Sequence, residues 1–187
     1  MNALLALSRG IDKLSALIAR TTSWLAALMI VIGAGNAIMR YVSRDLGFAV
    51  GGNAALETQW YLFSLMFLLG AAWTLERDAH VRVDVLYSRL SVKAKAGINL
   101  AGTLLFLLPF CVFALYVSTP SVMNSWEVRE VSQDPGGLPR YPIKTMILVS
   151  FGLLATQGLS QGIKALAQLT GHLPPPSPPD ADGEDAT

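Results

Sequence analysis

Three residues with metal-binding side chains stand close together in the sequence: Asp78, His80 and Asp84. Carboxylate and imidazole groups at short spacing are donors that divalent metals use in proteins. A metal site needs more ligands than this cluster offers, and the interleaved Arg77 and Arg82 repel a cation. We therefore prefer ion pairs with a partner protein over a metal site for this segment.

A single carboxylate, Glu57, begins a long apolar run that ends just before that cluster. It could bind a cation or a partner's arginine, because an ionisable group near membrane depth is costly to keep there. A carboxylate in the first turn of a helix also complements the helix dipole. We prefer this second, simpler interpretation.

A third group of charged residues surrounds a tryptophan between two later apolar runs, in PSVMNSWEVREVSQDPGGLPRYP at residues 120–142. Trp126, Glu127, Arg129 and Glu130 place an aromatic anchor among charges, which is typical of a contact surface. A loop packed on itself is the alternative. The letters DPGG at residues 134–137 predict a turn.

Residue patterns that carry catalysis are missing from the sequence. It has no phosphate-binding glycine loop, nucleophile elbow or zinc signature. Its two histidines, His80 and His172, lie outside the apolar runs, which argues against bis-histidine haem binding. The only cysteine, Cys111, excludes an internal disulfide and a cysteine metal cage. The sequence predicts no enzyme and no cofactor, and a net charge of +1 gives no basic footprint for nucleic acid.

The elements that hold these residues are four long uncharged runs. The chain is 52% hydrophobic and 14% charged, whereas about a quarter of a soluble domain is charged. Residues 58–75 are uncharged and would form ~27 Å of helix, which matches the hydrocarbon core of a bilayer. The sequence predicts an all-α integral membrane protein with a four-helix transmembrane domain over residues 21–169. Its spans are expected at about residues 21–40, 57–76, 95–119 and 143–165, and Pro109 predicts a kink in the third.

The two ends of the chain differ from this domain. Apolar residues recur at steps of three and four in the first twenty residues, which predicts an amphipathic interfacial helix over 1–20. A secretory signal is the alternative, but the apolar run that follows is longer than a signal core and predicts an uncleaved span. The end of the chain, residues 170–187, is rich in proline and acid and predicts a disordered tail.

Glycines in the fourth run predict close helix contact. Gly158 and Gly162 form a GxxxG match, which lets helix backbones approach within one chain or between subunits. The arginines and lysines predict the orientation. If the N-terminus is cytoplasmic, nine of them lie inside and five outside, which favours both termini inside and the tryptophan segment outside.

Two motifs together resemble a known family. One is the acid-led second run with GAA at residues 70–72 and HVRVD at residues 80–84, and the other is SWEVREVSQDPGGLPRYPIK at residues 125–144. At these places they resemble the small, four-span Q subunit of tripartite ATP-independent periplasmic (TRAP) transporters. The resemblance covers the chain from about the first span to Lys164 and omits the tail.

The resemblance implies a role in the bacterial inner membrane. In that family the small subunit is a scaffold beside a large multi-span subunit, which carries substrate and sodium sites. A periplasmic binding protein delivers the solute, usually a carboxylate. By position, His80, Arg82 and Asp84 would lie on the cytoplasmic side, and Trp126, Glu127, Arg129 and Glu130 would face the periplasm. The alternative is a homo-oligomeric channel or small transporter, its pore lined by Asn36, Asn99, Thr156 and Gln157.

Overall fold

The computed structural model describes residues 1–46, 52–79 and 90–172, and in these ranges the chain is helical and forms no strand. His80, Arg82, Asp84 and the tail from residue 173 lie outside the described residues. The helices are α1 (Asn2–Leu46), α2 (Asn53–Glu76), α3 (Val92–Gly102), α4 (Leu108–Glu127) and α5 (Tyr141–Leu169), with a π-helical turn, Thr103–Leu107, between α3 and α4.

The first helix is longer than the sequence predicts. A separate interfacial helix over residues 1–20 is not confirmed, because α1 continues without a break to Leu46. The polar residues at the expected boundary stay inside the helix, since Thr21, Thr22 and Ser23 donate their hydroxyl hydrogens to carbonyls three or four residues earlier. Such bonds satisfy these hydroxyls without ending the helix.

Among the described residues, three stretches of helix are long and apolar enough to cross a membrane: Asn2–Ser43, Val92–Glu127 and Tyr141–Leu169. The second expected span is helical, as α2, but is not among these three. Its first turns contain the polar residues Asn53, Glu57, Thr58 and Gln59. The described part of the chain is thus all-helical with three candidate spans, and the count of four is not confirmed.

The helix α5 lies at the centre of the bundle and contacts each of the other helices named above. Its buried side is made of small and polar residues: Ser150, Gln157, Gly158, Ser160, Gly162, Ala165 and Ala167. Large apolar side chains point outward instead, among them Trp24, Phe67, Phe106 and Tyr116, each 71–79% exposed. Small residues inside and large apolar residues outside are the arrangement of helices that pack within lipid.

The π turn lies just before Pro109. Proline has no N–H for the carbonyl four residues earlier, and its ring crowds that carbonyl. The backbone here takes the wider π pattern, in which the Leu108 N–H bonds to the Thr103 carbonyl five residues back. A π turn thus lies directly before the helix that begins with Leu108 and Pro109, and that helix continues to Glu127. The kink predicted at Pro109 stays a prediction.

Candidate functional site

The segment between α4 and α5, residues 128–140, folds back on itself as a small hairpin. The Ser132 N–H donates to the Leu138 carbonyl at 3.0 Å, and the Arg140 N–H donates to the Glu130 carbonyl at 2.8 Å. The predicted DPGG turn closes it, with the Gly137 N–H bonded to the Asp134 carbonyl at 3.0 Å and Gly136 at φ 72°. We call this segment the hairpin loop.

The first turns of α2 hold the hairpin loop in place. The Glu57 carboxylate accepts the Leu138 N–H at 2.5 Å and the Ser132 hydroxyl, and Glu57 is only 3% exposed. One turn on, the Tyr61 hydroxyl donates to the Pro139 carbonyl at 3.0 Å. The helix dipole alone therefore does not account for Glu57, because its two oxygens each bind a donor from the hairpin loop.

The other side of the hairpin loop is fixed by the end of α4 and the start of α5. Glu130 accepts hydrogen bonds from the Lys144 ammonium and from the Ser125 hydroxyl, the latter at 2.7 Å. These two donors, with the positive charge of Lys144, hold the pKa of Glu130 below its ordinary value. The Trp126 indole N–H donates to Thr145 Oγ1 at 2.8 Å, and its ring lies 4.5 Å from the Tyr141 ring.

The tryptophan segment is thus packed on itself, which is the alternative that the sequence left open. An outer surface remains, because Trp126 is still 50% exposed and Glu127 and Arg129 are exposed. Whether that surface binds a partner stays a prediction.

Asp78 and Arg129 occupy equivalent places at the ends of two helices. Both have positive φ, 56° and 47° respectively, in the left-handed region that non-glycine residues rarely adopt. At each end the next amide bonds to a carbonyl five residues back: Ala79 to Thr74 at 3.1 Å and Glu130 to Ser125 at 2.9 Å. These are Schellman caps, so both residues have a backbone role in ending a helix, whatever their side chains contact.

At the opposite end of the bundle, a polar seam joins α1 to α5. Asp12 Oδ2 forms an ion pair with Lys164 Nζ at 2.7 Å. Asp12 Oδ1 accepts from Gln157 Nε2 at 2.9 Å and from the Ser160 hydroxyl at 2.8 Å. Ser8 and Ser15 complete the seam: the Ser8 and Ser160 hydroxyl oxygens lie 2.7 Å apart, and Ser15 donates to Gln157 Oε1 at 2.7 Å.

Sequence reasoning missed this seam, although a signal for it was present. Ser8, Asp12 and Ser15 are spaced by four and three residues, as are Gln157, Ser160 and Lys164 in reverse order. Each set falls on one face of a helix. Two polar stripes of matching length on apolar helices indicate that the helices pack on each other through those stripes, because unpaired polar groups are costly in lipid.

The glycine pair on α5 also packs inside the chain. A Cβ at Gly158 would lie 2.9 Å from Leu107 Cδ2, and one at Gly162 would lie 3.7 Å from Thr103 Cγ2. Both glycines are buried. They let the π turn and the end of α3 approach α5 closely, so their GxxxG spacing serves packing within one chain here.

In the described ranges, the buried polar side chains are hydrogen-bonded within the chain. Each buried side-chain nitrogen or oxygen there has a hydrogen-bond partner. The same residues contain no group of three or more His, Cys, Asp and Glu side chains arranged for a metal ion. Gln157, expected in the alternative hypothesis to line a pore, is 0% exposed and bonded to Ser15 and Asp12. What this arrangement can do is hold helices together and shape one loop.

Apolar helices that pack through small residues and satisfied polar pairs define a multi-pass membrane protein built for helix contacts. Residues 29–168 match the family described as tripartite ATP-independent periplasmic transporters, DctQ component, and the chain belongs to that family. It is thus a component of a transporter. Neither a curated protein nor a solved structure matches the chain.

Proposed function

We propose that the protein is the small, non-catalytic membrane subunit of a TRAP-type secondary transporter. It pairs with a large multi-span subunit in the bacterial inner membrane, and that subunit performs sodium-coupled uptake of a carboxylate solute. A periplasmic binding protein delivers the solute. The chain spans the membrane four times, with α2 as the second span, and has both termini in the cytoplasm.

The observation that carries this proposal is the contrast between the inside and the outside of the bundle. Inside, the seam and the glycine face of α5 bind the chain to itself. Outside, large apolar side chains such as Phe67 and Tyr116 are exposed. A subunit whose described buried polar groups are bonded internally and whose apolar surface is free is suited to contact lipid and a partner.

The hairpin loop is the surface we assign to the binding protein. Glu57 and Glu130 hold it in place by hydrogen bonds, and Arg129 on it and Trp126 and Glu127 beside it, at the end of α4, remain exposed. A rigid aromatic anchor with charges around it loses little conformational entropy on binding.

The test of the pairing is co-purification of an affinity-tagged form of this chain with the large subunit, followed by uptake into proteoliposomes. We expect the two subunits in a fixed ratio and no sodium-dependent uptake when this chain is left out. Full uptake by the large subunit alone would overturn the proposal. Solute flux through liposomes that hold only this chain would support the homo-oligomeric channel instead.

Arg129→Gly tests the docking surface separately from folding. Glycine adopts the left-handed conformation of residue 129 without strain, so this variant should fold at least as well as the wild type. We expect unchanged pairing with the large subunit and weaker stimulation by the binding protein. If neither Arg129→Gly nor Trp126→Ala reduces stimulation by the binding protein, the hairpin loop with the adjoining end of α4 is not the docking surface.

A further inference from the structure

A groove of about 470 Å³ lies between α1 and α2, near the end of the bundle that carries the polar seam. Two arginines line it, Arg20 on α1 and Arg77, which follows the last residue of α2. Its volume falls within the usual range for small-molecule sites. The seam and the hairpin loop do not include either arginine.

The two guanidinium groups are available to a ligand. Arg20 is exposed, and no ion pair among the described residues involves it. Arg77 lies over the Trp73 ring, 5.4 Å from its centroid, and its Nε is 3.6 Å from Glu76 Oε2. Its side chain is 65% exposed, and a guanidinium has four further N–H donors on its two terminal nitrogens.

The lining of the groove changes from charged to apolar along its length. From Arg77 it runs along α2 past Gly70 to Met66, a distance of ~16 Å for eleven residues of helix. Thr22 and Ser23 also line it, but their hydroxyls are bonded to carbonyls of α1 itself. A ligand that fills the whole groove therefore needs a negative head beside the arginines and an apolar body beside Gly70 and Met66.

We propose that this groove binds an anionic phospholipid, with its phosphate between Arg20 and Arg77 and an acyl chain along the Gly70 face. The arginines lie where the apolar run of α2 ends, at the level of lipid headgroups. Basic pockets between transmembrane helices are known to hold anionic headgroups. A soluble anion matches the two arginines but leaves the apolar part of the groove unfilled. That part is open beside Gly70, since a Cβ there would have no neighbour within 4 Å.

The test uses fluorescence of Trp73, which lies in the groove wall. The full chain with Trp24→Phe, Trp60→Phe and Trp126→Phe is placed in phosphatidylcholine vesicles, and brominated phosphatidylglycerol or brominated phosphatidylcholine is added as quencher. Each arginine near an anionic lipid contributes about 1 kcal/mol, or about fivefold in affinity. We expect the concentration of brominated phosphatidylglycerol that gives half-maximal quenching to be at least about fivefold lower than that of brominated phosphatidylcholine.

Two kinds of variant separate charge from volume. Arg20→Gln should reduce the headgroup preference about fivefold, and Gly70→Leu should reduce quenching by both lipids because its side chain fills the groove. The matched controls are Arg9→Gln, an exposed arginine on the same helix, and Gly97→Leu, where a Cβ also meets nothing within 4 Å. Far-UV circular dichroism checks that each variant is folded.

Equal quenching by the two lipids in the chain that keeps only Trp73 and has no change in the groove would overturn the proposal. So would an equal loss of headgroup preference in Arg9→Gln and Arg20→Gln. Release of the quenching by millimolar inorganic phosphate would identify a site for a soluble anion and would also overturn it. None of these measurements involves transport, so their outcome is separate from that of the proposed function.

Discussion

Gly137 is the residue on which the hairpin loop depends most directly. A Cβ at this position would lie 2.7 Å from the Ser132 hydroxyl and 2.8 Å from Glu57 Oε1, closer than these atoms tolerate. We expect Gly137→Ala to destabilise the protein by about 1–3 kcal/mol, the usual cost of overpacking. Thermal unfolding in detergent measures the change.

The control for that variant is Gly152→Ala on α5, where a Cβ would meet nothing within 4 Å. In a helix this change should be neutral or slightly stabilising. If both variants unfold at the same temperature, the close approach of Gly137 to Glu57 does not contribute to stability.

Glu130 should make the hairpin loop sensitive to acid. Its pKa is lowered in the folded chain by Lys144 and Ser125, so the folded state favours the ionised carboxylate. Its stabilisation is complete above the ordinary glutamate pKa of about 4.3 and is lost as the pH falls from there through the lowered value. We expect Glu130→Gln to unfold at a lower temperature than wild type at neutral pH and to show a smaller decrease in acid. The measurement is the unfolding midpoint of both proteins against pH; parallel curves would contradict the assignment.

At the scale of elements, the polar seam determines how α1 sits on α5. The Asp12–Lys164 pair is partly buried, with side chains 17% and 28% exposed. Removing one partner leaves the other charge unpaired, so the two changes should not be additive. We expect a double-mutant cycle of Asp12→Asn and Lys164→Met to give a coupling of about 1 kcal/mol in unfolding free energy.

The matched cycle replaces Lys164→Met by Lys93→Met, an exposed lysine at the start of α3. That cycle should give no coupling with Asp12→Asn. A coupling of equal size in both cycles would mean that general electrostatics, and not the seam, relates these charges.

The elements could be predicted from the sequence to different degrees. Uncharged runs predicted the helices around residues 58–75, 96–119 and 145–163, because a long apolar run in lipid has to be helical. The sequence predicted a separate helix that ends at residue 20, but α1 continues to Leu46. Arg20 and the hydroxyl residues after it are typical of a helix boundary, yet here they lie inside the helix. The role of Glu57 could not be predicted, because its partners Ser132 and Leu138 lie more than seventy residues away in the chain.

At the scale of the whole molecule, the arrangement of helices predicts which loops lie on the same side of the membrane. The hairpin loop is at one end of the bundle, and the start of α1 meets the end of α5 near the other, through Ser8 and Ser160. These two ends should therefore face opposite sides, with the hairpin loop outside, where its few positive charges place it.

Cysteine labelling in intact cells tests this topology. The only native cysteine, Cys111, is 0% exposed and should not react with a membrane-impermeant maleimide. We expect Gln133→Cys to be labelled from outside and His172→Cys to be labelled only after the membrane is permeabilised. The reverse pattern would place both termini outside.

The π turn makes the continuous helical stretch of α3, the turn itself and α4 tolerant of a length change at one place. It holds one residue more than an α-helix of the same length would, and each residue of an α-helix turns the chain by about 100°. Deleting Leu105 together with Pro109→Ala should restore regular helix on both sides and leave Phe110 against Phe151, where the rings now lie 5.8 Å apart. The same deletion at Leu115 should rotate everything after it away from α5. Chains with one residue fewer at this turn should therefore share the same helix contacts, while a length change within α4 should not be tolerated.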